Sequence, residues 1–279
     1  MGQGYAPPMR AGTLLAAFVV LAGCRSESRP PPVAPPAPPT PSLEQVTRVL
    51  DGDTVEIGSE RIRLKGINAP ETGECGAQPA HDRLAELLAA GVRVDRRGTG
   101  DHGRTLAYLY AADATAVHVD LARRGLVLAY PYGQRDDQTD SLASAERSAR
   151  ERAIGLFDPA ACGPPVAGAD AVTIQAVVHN PPGDDLAVGA GEHVVISGPP
   201  GTDLAGWTLK DTSARNRFTF PAGARIPDGG VLRIHTPCGE PTPDALFWCR
   251  TGAGVWNNGG DVAFLLDPRG NLVDERPTP

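Results

Sequence analysis

Two stretches decide the fold: residues 46–57, which read VTRVLDGDTVEI, and residues 61–71, which read RIRLKGINAPE. Apolar residues alternate on both sides of the Asp51-Gly52 pair, and Asp-Gly between two such runs is typical of a β-hairpin. The alternation resumes over residues 61–68 and predicts a third strand. Pro70 then ends regular strand pairing. These stretches therefore predict a small antiparallel sheet with acidic residues at its turns.

Helical spacing appears after these strands. Leu84, Leu87 and Leu88 lie on one face of a predicted helix at 78–90, which Gly91 ends. Further predicted elements are strands at 92–95 and 105–110, helices at 116–124 and 141–153, and an extended segment at 126–132. Strands followed by helices indicate an α+β domain, which we place at residues 43–163.

Polar side chains with complementary chemistry gather at the turns of this domain. They are Asp51, Asp53, Arg63, Asn68, Glu71 and Arg104. Carboxylate and amide oxygens suit a hard cation, Ca²⁺ above all. Two guanidinium groups can hold phosphate oxygens and stabilise the additional charge of a phosphodiester transition state. A Glu beside a metal can take a proton from attacking water. Each residue alone is more often a solvated surface group, so order and spacing carry the signal.

In this order, VLDGDTVEI, RIRLKGINAPE, HGRTLAYLY and GLVLAYPY resemble a thermonuclease (staphylococcal nuclease-like) domain over roughly residues 44–160. The resemblance implies an OB-like β-barrel with packed helices. It also implies Ca²⁺-dependent hydrolysis of DNA and RNA phosphodiester bonds, which would make the chain a metal-dependent endonuclease.

The resemblance assigns three groups of residues. The implied metal ligands are Asp53, Asn68 and the backbone carbonyl of Ala69, with Asp51 in support. The implied catalytic residues are Arg63, Glu71 and Arg104. The implied substrate-binding residues are His102 and Tyr132, with Tyr130 as a further candidate for base stacking.

Asn68 departs from the family pattern, which has Asp at this position. An amide offers one oxygen to Ca²⁺ but removes a full negative charge, so we expect weaker calcium binding. The domain also has more acidic than basic residues, which argues against a broad basic groove. A catalytically weak or inactive surface lipoprotein that binds nucleic acid or the envelope is the alternative to an active nuclease.

Residues 163–169 (GPPVAGA) read as a linker to a second domain at residues 168–275. Short extended runs separated by Gly, Pro, Asn and Asp predict a β-sandwich there. The phrases GEHVVISG, DLAGWTLKD, RFTFPAGARIPDGGVLRI and VWNNGGDVAFLLDPRGN resemble a lamin-tail domain, which implies an immunoglobulin-like fold. We find no catalytic constellation in this domain, and His193 and His235 each lack a second ligand at suitable spacing.

The N-terminal segment is typical of an export signal. An apolar run at residues 13–23, too short to span a bilayer comfortably, ends in Leu-Ala-Gly before Cys24. This pattern resembles a bacterial lipoprotein signal at 1–24, with Cys24 lipidated; an ordinary signal peptide with an incidental Cys is the alternative. A proline-rich linker follows at 25–42 and favours an extended stalk, although a partner motif is also open. We therefore expect an exported lipoprotein, anchored on the cell surface or facing the periplasm.

Cysteine usage fits export. Without Cys24 four cysteines remain, and an even number in an exported chain suggests disulfides with three possible connectivities. We favour Cys75–Cys162 and Cys238–Cys249, because each pair then lies within one domain. Zinc is the alternative, but the sequence has no CxxC spacing.

Length and composition limit the number of domains and the class of protein. A chain of 279 residues is long enough for two domains, and 41% hydrophobic residues suffice for buried cores. A net charge of −7 argues against a basic nucleic-acid coat protein, whose affinity depends on neutralising phosphates. Almost all of the 26 basic residues are Arg.

Overall fold

The structure is a computed structural model that describes residues 42–100, 103–130, 135–213 and 215–278. Cys24, with the predicted signal and nearly all of the proline-rich segment, lies outside these ranges. None of the helices in the described ranges combines the length and the apolar character needed to cross a bilayer.

The first domain combines a five-stranded sheet with three helices, as the sequence predicted. Its strands are β1 (Arg48–Val49), β2 (Thr54–Ile57), β3 (Glu60–Leu64), β4 (Ile67–Asn68), β5 (Val92–Thr99), β6 (Thr105–Ala111) and β7 (Leu128–Ala129). Its helices are α1 (Ala77–Leu88), α2 (Val117–Arg123) and α3 (Thr139–Glu151).

The order in this sheet is β1-β2-β3-β6-β5, in which β3 and β6 are parallel and the other neighbours antiparallel. The ladder does not close into a barrel, although one bridge between Glu44 and Val92 joins the segment before β1 to β5. The strand predicted at 61–68 is interrupted, because Gly66 turns the backbone with a φ of 82°. β4 then pairs with β7 in a separate two-stranded sheet.

The DGDT turn packs directly against α1. A Cβ at Gly52 would lie 2.6 Å from the Cβ of Ala80 and 2.7 Å from that of Ala69, so only glycine fits there. Leu84 and Leu88 continue the buried face of α1 from Ala80, which confirms the predicted spacing. This packing fixes the acidic turn against the segment that carries the other site residues.

The second domain is a sandwich of two four-stranded sheets, as predicted. One sheet has the order β11-β10-β14-β15 and the other β13-β12-β9-β8. The strands are β8 (Thr173–Val178), β9 (His193–Ser197), β10 (Thr208–Lys210), β11 (Arg217–Thr219), β12 (Val231–His235), β13 (Ala245–Phe247), β14 (Val262–Leu266) and β15 (Leu272–Pro277). Trp207 is 1% exposed and lies in the core between the sheets.

The two domains share an apolar cluster. Leu128 and Tyr130 of the first domain pack with Val262 and Phe264 of the second, and all four are at most 9% exposed. Polar contacts add to this cluster: the N–H of Cys162 donates to Asn271 Oδ1 at 2.8 Å, and Arg150 pairs with Glu275. The domains therefore form a joined unit with a cavity at the junction.

Candidate active site

Asp53 begins the site at the end of the acidic turn, immediately before β2. It is 5% exposed. One carboxylate oxygen accepts the backbone N–H of Ala69 at 2.7 Å, and the other accepts the Thr54 hydroxyl at 2.9 Å. Its own N–H donates to Asp51 Oδ1 at 3.0 Å. The turn therefore holds Asp53 against the segment after β4.

Arg63 projects from β3 into the same position. Its Nη1 lies 2.9 Å from Asp53 Oδ2, and its Nη2 lies 3.2 Å from Asn68 Oδ1. Nη1 also donates to the carbonyls of Leu64 at 3.1 Å and Ile67 at 2.8 Å. The guanidinium thus joins the two side chains predicted as metal ligands, and it is 7% exposed. To reach a phosphate, Arg63 must exchange some of these partners.

Burial raises the pKa of Asp53 well above its ordinary value, even though the positive charge of Arg63 opposes the shift. The neighbouring charge of Asp51 raises the pKa further. The arginine therefore compensates the buried carboxylate only in part, and additional positive charge near Asp53 would be favourable.

The side chains at this position are oxygen donors of the types that bind a hard cation. Asp53 and Asn68 present oxygen atoms to one point, Ala69 is held beside them, and Asp51 lies on the adjoining turn. Within the described ranges, no three His, Cys, Asp or Glu side chains converge as a metal site would require. The predicted set of metal ligands therefore carries few formal charges. The Arg63 guanidinium lies between the oxygen atoms of Asp53 and Asn68.

Glu71 lies just beyond Pro70 and lines a cavity of about 670 Å³. Its side chain is half-buried. Burial raises the pKa of Glu71, while the positive charges of Lys210, Arg63 and Arg104 oppose the shift. A raised pKa makes the carboxylate a stronger base, which suits proton transfer from water.

The cavity lies at the domain junction and is lined by both domains. Asn68, Glu71 and Glu74 come from the first domain, and Lys210 and Arg217 from the second. The sequence reasoning missed the two residues of the second domain. One signal was available: Lys210 is one of only two lysines in the chain. Their proximity to Glu71, however, depends on domain packing that no local pattern encodes.

The predicted substrate-binding residues have different outcomes. His102 and Tyr132 lie outside the described residues. Tyr130 is 5% exposed and packs in the cluster with Val262 and Phe264, so its ring is not open to a base. The second domain covers this ring, and base stacking by Tyr130 stays a prediction.

Both predicted disulfides are present. Cys75 is bonded to Cys162, and Cys238 to Cys249. The first bridge also lines the cavity, where it ties the segment after Glu74 to the end of the first domain. Zinc therefore has no role at these cysteines.

The first domain is of the staphylococcal nuclease class, and the second is of the lamin-tail class. The family model for the staphylococcal nuclease homologue matches residues 61–158, and that for the Lamin Tail Domain matches residues 165–278. The chain belongs to the staphylococcal nuclease homologue family, with a lamin tail domain following the nuclease domain.

Named relatives match the first domain. The chain is 33% identical over 130 residues to "Micrococcal nuclease" of Shigella flexneri, covering 41% of this chain and 74% of that protein. It is 32% identical over 126 residues to "Uncharacterized endonuclease" of Escherichia coli O157:H7, covering 43% and 80%. It is 30% identical over 122 residues to "Succinoglycan biosynthesis protein ExoI" of Rhizobium meliloti (strain 1021), covering 39% and 61%.

Proposed function

We propose that the chain is a calcium-dependent nuclease that hydrolyses phosphodiester bonds of extracellular DNA or RNA at the cell surface. One observation carries the proposal: a half-buried Glu71 faces a cavity beside the linked side chains of Asp53, Arg63 and Asn68. Relatives named as a nuclease and an endonuclease support it.

The residues have complementary roles in this proposal. Glu71 takes a proton from water, whose oxygen forms a new bond to phosphorus while the ester P–O bond breaks. The leaving oxygen receives a proton from solvent. Arg104 and Arg63 stabilise the additional negative charge on the phosphate oxygens, which a guanidinium can hold in a bidentate manner.

The residues that would hold calcium are Asp53, Asn68, the carbonyl of Ala69 and Asp51. When bound there, Ca²⁺ would stabilise the negative charge of the phosphate and orient the attacking water. Asn68 makes this ligand set one charge weaker than a two-aspartate set.

A substitution of Glu71 tests catalysis. We expect the purified full-length chain to cleave single- or double-stranded DNA or RNA in Ca²⁺ and not in EDTA. Glu71→Gln keeps the size of the side chain but cannot accept the proton, so cleavage should fall by roughly 10²–10⁴-fold. Nucleotide release is measured over a calcium series.

The alternative is a binding protein with weak or no catalysis, and a specific observation favours it. Arg63 is engaged by four oxygens of its own protein, and Asn68 replaces a charged ligand. Nucleic-acid binding without cleavage at any calcium concentration, equal in wild type and Glu71→Gln, would establish this alternative and reject the nuclease.

The proposed location rests on the N-terminal sequence and is supported by the two disulfides, which suit an oxidising compartment. In bacterial cells fed labelled palmitate, we expect the wild type to incorporate label and Cys24→Ala to lose it. The Cys75–Cys162 bridge should form in both proteins, which is the control for export. Equal labelling of the two proteins would reject the lipid anchor.

A further inference from the structure

Two cations of the lamin-tail domain hold one carboxylate of the nuclease domain. Lys210 Nζ lies 2.7 and 3.0 Å from the two carboxylate oxygens of Glu74. Arg217 lies directly across the β10–β11 ladder from Lys210 and also pairs with Glu74. The Lys210 side chain is only 5% exposed. The Lys210–Glu74 pair is therefore a buried contact between the domains, whereas Arg217 reaches Glu74 from the surface.

Glu74 in turn holds the backbone of Glu71. The N–H of Glu71 donates to Glu74 Oε2 at 3.0 Å, and the N–H of Glu74 donates to the Glu71 carbonyl at 2.8 Å. These two bonds close a turn whose first residue presents its carboxylate to the cavity. The position of Glu71 thus depends on Glu74, and the position of Glu74 depends on the second domain.

Stability alone is a poor reason for this arrangement. Removing an ammonium group from water costs free energy that a packed apolar side chain does not, and buried ion pairs are often replaceable without loss of stability. By contrast, a reacting group that is misplaced by about 1 Å can cost roughly 10²-fold in rate. An apolar residue at position 210 could not donate to the Glu74 carboxylate, so it could not hold the turn at residues 71–74 in place.

We propose that Lys210 is a positioning residue of the nuclease site, supplied by the lamin-tail domain: with Arg217 it fixes Glu74, and through Glu74 the turn that presents Glu71. The proposal rests on the proposed function and extends it. It makes the two domains one catalytic unit rather than a nuclease with a separable attachment.

The test compares Lys210→Met, Lys210→Arg, Glu74→Gln and the double variant Lys210→Met/Glu74→Gln in the full-length chain. Arg233→Met is the matched control, because Arg233 lies on a strand of the same domain and has a solvent-exposed partner, Asp244, at 3.7 Å. We expect kcat to fall at least about tenfold in Lys210→Met, with KM changed less than about threefold. Lys210→Arg should recover part of kcat, and Arg233→Met should match wild type.

The double variant separates positioning from simple destabilisation. If Lys210 acts through Glu74, the double variant is no slower than the slower single variant; independent losses would multiply. Amide exchange over residues 71–76 should be faster in Lys210→Met than in Arg233→Met, because the Glu71 N–H loses a fixed acceptor.

Each result points one way. An active wild type with unchanged or higher kcat in Lys210→Met, or with multiplying losses in the double variant, overturns the inference and leaves the nuclease function intact. If Lys210→Met unfolds, Lys210→Arg and Glu74→Gln decide by the same kcat and exchange criteria. A wild type that never cleaves rejects the proposed function itself.

Discussion

Asn68 determines the charge of the predicted calcium site. It is 6% exposed, and its amide oxygen accepts from Arg63 at 3.2 Å, close to the buried Asp53. An Asp at this position would add one full negative charge without lengthening the side chain. More ligand charge favours calcium, because calcium affinity depends on the number of charged oxygen ligands.

We therefore expect Asn68→Asp to lower the calcium concentration for half-maximal cleavage by about tenfold, or ~1.4 kcal/mol. Calorimetric calcium titration should show the same change in affinity. Ser59→Asp is the control, because it adds the same charge on the exposed turn between β2 and β3. An unchanged or higher calcium requirement in Asn68→Asp would contradict the assignment of Asn68 as a ligand.

The sequence placed candidate residues at turns, but it did not show their contacts. The resemblance to the staphylococcal nuclease family assigned roles to Asp53, Arg63 and Glu71, and these roles stay predictions. The engagement of Arg63 by its own protein follows from the kink at Gly66, which brings the Ile67 carbonyl and Asn68 back toward β3. Burial of Tyr130 follows from contacts with Gly260, Val262 and Phe264, which lie about 130 residues further along the chain.

At the scale of elements, Asp136 connects α3 to the sheet. Its carboxylate accepts from the Tyr108 hydroxyl at 2.8 Å, from Lys65, and from the Gln138 N–H at 3.1 Å just before the helix begins. Burial alone would raise the pKa of Asp136, but the hydrogen bonds from Lys65 and Tyr108 outweigh it and hold the pKa far below its ordinary value. The ionised form therefore stabilises the fold.

Asp136→Asn should lower the free energy of unfolding at pH 7 by about 2 kcal/mol, because it removes charge-assisted hydrogen bonds. Since the folded pKa is depressed, this stabilisation is complete above about pH 4 and is lost as the pH falls below that value. Urea titrations across pH should show the variant approach wild type only in strong acid. Asp140→Asn, an exposed residue of the same helix, should change stability little; a constant difference down to pH 2 would contradict the assignment.

The long, periodic elements were predicted well, whereas two strands of the second domain, β13 and β15, lack a pattern that local sequence displays. The spacing of α1 and α3 follows from burial of one face, which a sequence displays directly. β15 reads LVDERP and lacks alternation, because Asp274 accepts the N–H of Ile174 at 2.6 Å and Glu275 faces Arg150. β13 has three residues and pairs in parallel with β12, which a hairpin pattern does not indicate.

At the scale of the whole molecule, the junction decides whether the domains act separately. Local sequence patterns predicted two domains but could not predict their contact, because each contributing residue looks like an ordinary core or surface residue in its own domain. Phe264 illustrates this: it lies on β14, is 4% exposed, and packs against Leu128 and Tyr130. Apolar area buried between domains couples their unfolding.

Two optical signals can follow the domains separately. All three tryptophans (Trp207, Trp248 and Trp256) belong to the second domain, so tryptophan fluorescence reports on that domain. The α-helices of the described ranges all belong to the first domain, so circular dichroism at the helix band reports mainly on that one. Coincidence of the two unfolding curves is the usual test for a single cooperative transition.

We expect the two curves to coincide in the wild type and to separate in Phe264→Ala. Removing this ring costs roughly 3 kcal/mol if the cavity does not collapse, and most of the loss falls on the contact between the domains. The domain with the lower intrinsic stability would then unfold first. Val188→Ala, at a side chain 69% exposed on the second domain, should leave the curves coincident. Separate transitions in the wild type, or coincident transitions in Phe264→Ala, would mean that the shared apolar cluster does not couple the domains. The single catalytic unit inferred from Lys210 would then depend on the ion pairs of Glu74 alone.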